Sequence, residues 1–98
     1  MKSINPANNQ LIKEYPEHSP EEVVEIINRT HTTWLDWKNT PFSIRREHMI
    51  KAAALLRTRK RELAVLMTME MGKIIRESEA EVEKCAWVCE YYAENAEH

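Results

Sequence analysis

Residues 69–94 read MEMGKIIRESEAEVEKCAWVCEYYAE, and the periodicity of this stretch decides the fold. Gly72 is the only glycine in 98 residues. It is a natural left-handed C-cap, because a residue without Cβ enters that region of backbone space at no steric cost. One helix therefore ends there, and a last helix starts at about Ile75 and runs over residues 75–98. Along it Ile75, Ser78, Val82, Cys85, Cys89, Tyr92 and Ala96 recur at the spacing of one helical face. Both cysteines are thus expected inside a core stripe, where free cysteine behaves as a small hydrophobe. Zinc would need two further close ligands, and His18, His31, His48 and His98 stand at no matching spacing. A disulfide between i and i+4 on a regular helix would be strained. A reactive thiolate needs a base or a helix N-terminus beside it, whereas these two lie mid-helix. Trp87, Val88 and Tyr91 form a second apolar stripe, turned away from the first. A helix apolar nearly all round is one buried on most sides, so the expectation is the front part of a larger protein.

Working back from Gly72, Leu63, Leu66 and Met67 carry an apolar side that the basic run Arg57-Thr58-Arg59-Lys60-Arg61 interrupts. A kink or short break is expected there, with the charges as a solvated helix junction. Before it, Ile44, Met49, Ala52, Ala53 and Leu56 line a helix that Ser43 could cap, which makes residues 43–72 helical. Residues 19–38 begin with Ser19-Pro20-Glu21-Glu22: a capping serine, proline in the first helical position and acids at the positive end of the dipole. Val23, Ile27, Thr30 and Trp34 make one stripe on that helix, and Val24, Ile27, His31 and Leu35 its neighbour. Residues 3–16 differ, with the turn cluster Asn5-Pro6-Ala7-Asn8-Asn9 between short extended runs. They read as a β-hairpin, which is marginal alone and must lean on something. The fold class is therefore mainly α, a short N-terminal hairpin followed by three to four helices.

Net charge is −2 and pI about 6.1, which gives no electrostatic pull toward nucleic acid or an anionic membrane. No apolar run approaches the roughly 20 residues that span a bilayer. The first residues carry no apolar signal core, so the thiols are expected reduced, in the cytoplasm. Glu79, Glu81 and Glu83 alternate around the last helix as a wet face rather than an acid/base dyad. His31 and His48 fall on or near apolar stripes, as satisfied and partly buried histidines. There is no glycine-rich phosphate loop, and the residues alone show no active site.

The series INPANNQLIKEYP, then SPEEVVEIINRTHTTWLDWKNTPFSIRREHMIKAAALLRTRKRELAVLMTMEMGK, then EVEKCAWVCEYYAE resembles the N-terminal portion of the aldehyde dehydrogenase superfamily. Its sharpest pieces are Asn5-Pro6, the block Met69-Glu70-Met71-Gly72-Lys73, and Glu90-Tyr91-Tyr92-Ala93-Glu94. Within the superfamily it is most similar to NAD(P)-dependent succinate-semialdehyde dehydrogenases. The resemblance implies a truncated piece of that fold, the N-terminal part of the cofactor-binding domain of a longer, oligomeric oxidoreductase. Such an enzyme oxidises an aldehyde to a carboxylic acid with NAD or NADP. Its nucleophilic cysteine, its water-activating glutamate and its cofactor loops lie beyond residue 98, and Cys85 and Cys89 match no family nucleophile motif. No catalytic or cofactor-binding residue is therefore expected on this chain, and no cofactor bound to it. Some members hold a structural monovalent cation between the opening hairpin and an acidic residue two before the Gly-Lys pair. Those positions are Ile4, through its backbone carbonyl, and Glu70, where many relatives have Asp. The expected partner is the remainder of the parent enzyme, with self-association of the isolated chain through Trp87, Val88 and Tyr91. The alternative is a free-standing helical interaction module without catalysis.

Overall fold

The computed structural model describes residues 1–98. The chain opens with an antiparallel hairpin of β1 (Lys2–Ile4) and β2 (Leu11–Glu14). Lys2 lies opposite Glu14 and Ser3 opposite Lys13, and an irregularity after Ser3 sets Ile4 against Leu11. The turn is built by asparagines. Asn5 Oδ1 accepts from the Ala7 amide at 2.9 Å and Asn8 Oδ1 from the Gln10 amide at 3.0 Å. Asn9 takes φ 58°, a left-handed conformation that asparagine tolerates better than most side chains.

Helix α1 (Pro20–Trp37) begins where the sequence says it should. Ser19 Oγ accepts from the Glu22 amide while the Glu22 carboxylate accepts from the Ser19 amide, a complete capping box. Helix α2 (Phe42–Thr58) starts differently from expectation. Pro41 holds the cap position with ψ 148° and the helix is under way at Phe42, so Ser43 lies inside the first turn and makes no cap. Helix α3 (Lys60–Met71) follows a single non-helical residue, Arg59, at φ −98° and ψ 13°. That is the break foreseen in the basic run. Gly72 closes α3 at φ 69° and donates to the Thr68 carbonyl. Helix α4 (Ile75–Asn95) then folds back antiparallel, its first half against α3 and its second against α2.

The core lies between these two legs and is made of small residues: Ala53, Ala64, Val82, Ala86, Ala93 and Ser78. Their size lets the helix backbones approach closely. Ser78 is wholly buried, and its hydroxyl meets that of Thr68 at 3.0 Å. The buried stripe of α4 is thus Ser78, Val82, Ala86 and Ala93, with Cys89 half-buried beside it. Cys85, Tyr92 and Ala96, expected in that stripe, are exposed. At 3.6 residues per turn the observed stripe is rotated by about 40° from the expected one. The rotation brings the glutamates of α4 to the basic junction, and the larger apolar side chains are left outside.

The stripes on α1 find no cover, since the helix has no buried residue. It is tied to α2 through Arg45, which donates to the carbonyls of Thr40, Trp37 and Lys38 at 3.0, 3.1 and 2.9 Å. His31 and His48, expected partly buried, are exposed and lie against Trp34 and Trp37 with ring centroids 5.7 and 5.9 Å apart. The radius of gyration is 17.4 Å, against ~13 Å for a compact chain of this length. The surface is 8055 Å², about 2,200 Å² more than a folded monomer of this mass exposes. The chain is an open layer of helices with apolar surface to spare.

Candidate functional site at the hairpin contact and the helical junction

Two places bring polar residues together from distant parts of the chain. The first is where the hairpin meets the end of α3. Ser3 Oγ donates to Glu70 Oε1 at 2.6 Å, which spans 67 positions in sequence and half-buries both residues. Two residues on, Gly72 passes beneath Pro6, and a Cβ at Gly72 would stand 3.1 Å from Pro6 Cγ. Glycine is thus required twice over, for the left-handed turn and for the close approach. The hairpin leans on these two contacts. Glu70 is a latch here, not a solvated carboxylate. Ile4, the next residue of β1 after Ser3, is itself exposed.

The oxygen set at this contact comprises the Glu70 carboxylate, the Ser3 hydroxyl and the main chain of β1. Hard cations favour oxygen ligands, and a single carboxylate matches a single positive charge. Glu70 Oε1 is engaged by Ser3, so these residues offer a cation one further carboxylate oxygen and the hydroxyl. They do not fit a dinucleotide, whose pyrophosphate needs a glycine-rich turn opening a helix. The one glycine here closes a helix against a proline ring.

The second place is the α2–α3 junction. Arg57 Nε donates to Glu83 Oε1 at 2.8 Å, and its two terminal nitrogens fork onto the Glu90 carboxylate, Nη2 to Oε2 at 2.8 Å. Lys60 reaches Glu83 Oε2 at 3.3 Å and Arg61 reaches Glu79 at 2.6 Å. Lys73 pairs with Glu81. The basic run and the glutamates are paired as well as solvated. Glu79, Glu81, Glu83 and Glu90 each find a cation, Arg59, Arg61 and Glu81 stay exposed, and the Arg57, Glu83 and Glu90 side chains are about one-third exposed. The bidentate fork that arginine makes on a carboxylate ties the end of α2 to α4.

The charges respond accordingly. Hydrogen bonds to Glu90 and then Glu83 hold the Arg57 guanidinium above its ordinary value. The Arg57 bond holds Glu90 and Glu83 below the ordinary carboxylate value of 4.5, with Lys60 contributing at Glu83. Carboxylates with depressed folded-state values lend stability that is complete above the unfolded value and is lost as pH falls through the folded one. Helicity should therefore weaken below about pH 4.5. Arg57→Met should flatten that acid limb while leaving the chain less stable at neutral pH. Circular dichroism melts between pH 3 and 7 measure both, and an unchanged acid limb in Arg57→Met would assign the loss to other carboxylates.

Sequence reasoning also missed a groove of about 730 Å³ between the start of α2 and the last turns of α4, with Trp37, Phe42, Met49 and Tyr92 among its walls. Arg46 from α2 and Glu94 from α4 also line it. No short-range signal announces it, because it exists only once residues near 45 meet residues near 95. Cys85 and Cys89 are free thiols on the flank of α4, and no group of three potential metal ligands includes them.

The profile of the aldehyde dehydrogenase family matches residues 1–98. The chain is 42% identical over 95 residues to a probable succinate-semialdehyde dehydrogenase [NADP(+)] of Synechocystis sp., a match covering 97% of this chain and 21% of that protein. It is 38% identical over 95 residues to succinate-semialdehyde dehydrogenase [NADP(+)] 1 of Mycobacterium tuberculosis, with the same coverage of each. Among solved structures it superposes on succinic semialdehyde dehydrogenase from Streptococcus pyogenes, in complex with NADP+, at a TM-score of 0.91 and 26% identity. That match covers 98% of this chain and 21% of the other. It superposes at 0.94 and 28% identity on glyceraldehyde-3-phosphate dehydrogenase GapN from Methanocaldococcus jannaschii, complexed with NADP, over 100% of this chain and 22% of that one. The chain thus spans about a fifth of the length of the curated relatives it matches.

Proposed function

The chain belongs to the aldehyde dehydrogenase family, and from that premise we propose that it is the N-terminal scaffold of a longer oxidoreductase. In this reading residues 1–98 are the first part of the cofactor-binding domain. The whole enzyme oxidises an aldehyde, succinate semialdehyde foremost, to the carboxylic acid with NADP or NAD. The observation that carries this is the 42% identity across 97% of the chain to a relative named for that substrate and cofactor. The chain's own contribution is shape. Glu70 and Gly72 seat the hairpin, and Arg57 ties the end of α2 to α4, so that the layer presents fixed surfaces to the remainder of the enzyme.

The 98-residue chain by itself is expected to reduce no NADP with succinate semialdehyde above a buffer blank. A longer chain that includes it should do so, with this aldehyde preferred over others. Turnover by the isolated chain, lost in Cys85→Ser or Cys89→Ser, would reverse the reading.

A monovalent cation belongs to the same proposal, held by the Ile4 carbonyl and Glu70. Its support is the Ser3–Glu70 bond, which brings β1 to the carboxylate. Potassium should raise the thermal midpoint of the wild type and leave Glu70→Gln unmoved, relative to a tetramethylammonium buffer of equal ionic strength. The same response from both proteins would remove the site. Left without the rest of the enzyme, the chain should pair with itself through Trp87, Val88 and Tyr91.

A further inference from the structure

We infer that Cys85 and Cys89 together form a two-thiolate site for one soft monovalent cation, of which copper(I) is the type, on the flank of α4. Both thiols are free, Cys85 exposed and Cys89 half-buried, so an ion can reach the pair without opening the core. They stand one turn apart in the unbroken helix Ile75–Asn95. At 100° per residue they lie about 40° apart around its axis, on one edge of the buried stripe. Glu79, Glu83 and Glu90 border the other edge, where Arg57, Lys60 and Arg61 hold them. Glu81, one turn before Cys85, is held by Lys73. The carboxylates are thus spent on cations of the chain itself, and the two sulfurs are the donors left over.

Distance selects the chemistry. Helical residues four apart hold their Cβ atoms about 5–6 Å from each other. A disulfide needs about 3.5–4.5 Å, so the regular helix keeps the two thiols from joining. An ion between them asks for less. With sulfur–metal bonds of about 2.3 Å, the zinc value, two sulfurs in line with the metal stand ~4.6 Å apart. Sulfurs carried on Cβ atoms about 5–6 Å apart reach that separation while the helix stays intact. Coordination number then selects the ion. No group of three His, Cys, Asp or Glu side chains gathers on this chain, so zinc would lack half of its tetrahedral shell. Thiolates favour copper(I), which is satisfied by two ligands in line. Binding releases one proton from each thiol to the buffer and moves no electron. The product is a sulfur–copper–sulfur bridge with one net negative charge, which pins one turn of α4.

The test titrates the 98-residue chain with copper(I) in oxygen-free buffer, against a coloured chelator that competes for the ion. One copper(I) per chain is expected. Cys85→Ser and Cys89→Ser should each weaken binding at least a hundredfold, because the second thiolate no longer acts at the high effective concentration that a shared helix gives it. The decisive control is Cys85→Ser combined with Ala80→Cys, at an exposed position. It keeps two thiols but sets them nine positions and about 180° apart around the helix, and it should bind as weakly as the single-thiol variants. Circular dichroism should show equal helicity in all four proteins, and a rise in thermal midpoint with copper(I) in the wild type alone. Equal affinity in the control would overturn the site, since any two thiols would then suffice. So would wild-type affinity in either single variant, or one ion shared between two chains.

Discussion

Ala86→Leu is expected to destabilise the pairing of α2 with α4 by about 1–3 kcal/mol, the usual range for overpacking a tight contact. Ala86 is fully buried in the middle of α4, and only six residues of the chain are buried at all. Three added heavy atoms have nowhere to go unless the helices part. Parting them would also uncover Val82 and Ala93 and pull Glu90 from Arg57, so the loss should spread along the whole contact. Marginal stability of a few kcal/mol is normal even for complete domains, and this layer has a smaller core than most. Ala80→Leu, on the exposed side of the same helix, is the control and should change stability by less than ~0.5 kcal/mol. Urea titration followed by circular dichroism distinguishes the two. Equal effects from both would mean that helix propensity, not helix packing, sets the stability.

The second large effect concerns association. The isolated chain at about 20 µM, a concentration that needs only micromolar affinity, should sediment as a dimer. Trp87→Glu with Tyr91→Lys should make it a monomer. Trp87 is 66% exposed and Tyr91 60%, and they stand one turn apart, so one patch holds both. Aromatic anchors at the centre of an interface typically carry ≥ ~2 kcal/mol each. Removing two, with charges put in their place, should weaken the dimer by a hundredfold or more, about 2.7 kcal/mol. A wild type that stays monomeric, or a dimer that survives the double change, would move the contact elsewhere, such as the open edge of the hairpin.

What the sequence made legible was local. The serine–proline–glutamate start of α1, the asparagine turn, the interruption near Arg59 and the stop at Gly72 all depend on residues within a few positions of each other. The hidden parts were long-range. Arg57 reads as one charge in a basic run until α4 brings Glu83 and Glu90 to it. The packing that turns Ser78, Val82, Ala86 and Ala93 inward also sets Glu79, Glu83 and Glu90 at the junction. A helix apolar on several sides gives no internal sign of which side wins, and Cys85 was misplaced for that reason. Ser43 was misassigned by a smaller margin, since Pro41 starts its helix two residues sooner. Glu70 stood out only through family resemblance. Its bond to Ser3 follows from the hairpin folding back over α3, which no periodicity encodes.

The seating of Pro6 on Gly72 also has a consequence in time. A ribosome makes Pro6 of the hairpin more than sixty residues before the glycine that holds it. At ~5–20 residues per second, the interval between the emergence of Pro6 and of Gly72 is several seconds. For that period the nascent ribbon has no surface to rest on, and its open edges could pair with a neighbouring nascent chain. Lys2, Lys13 and Glu14 lie along those edges, and charged side chains on exposed strands discourage such pairing. The charges that decorate the finished hairpin thus act as its guard during synthesis.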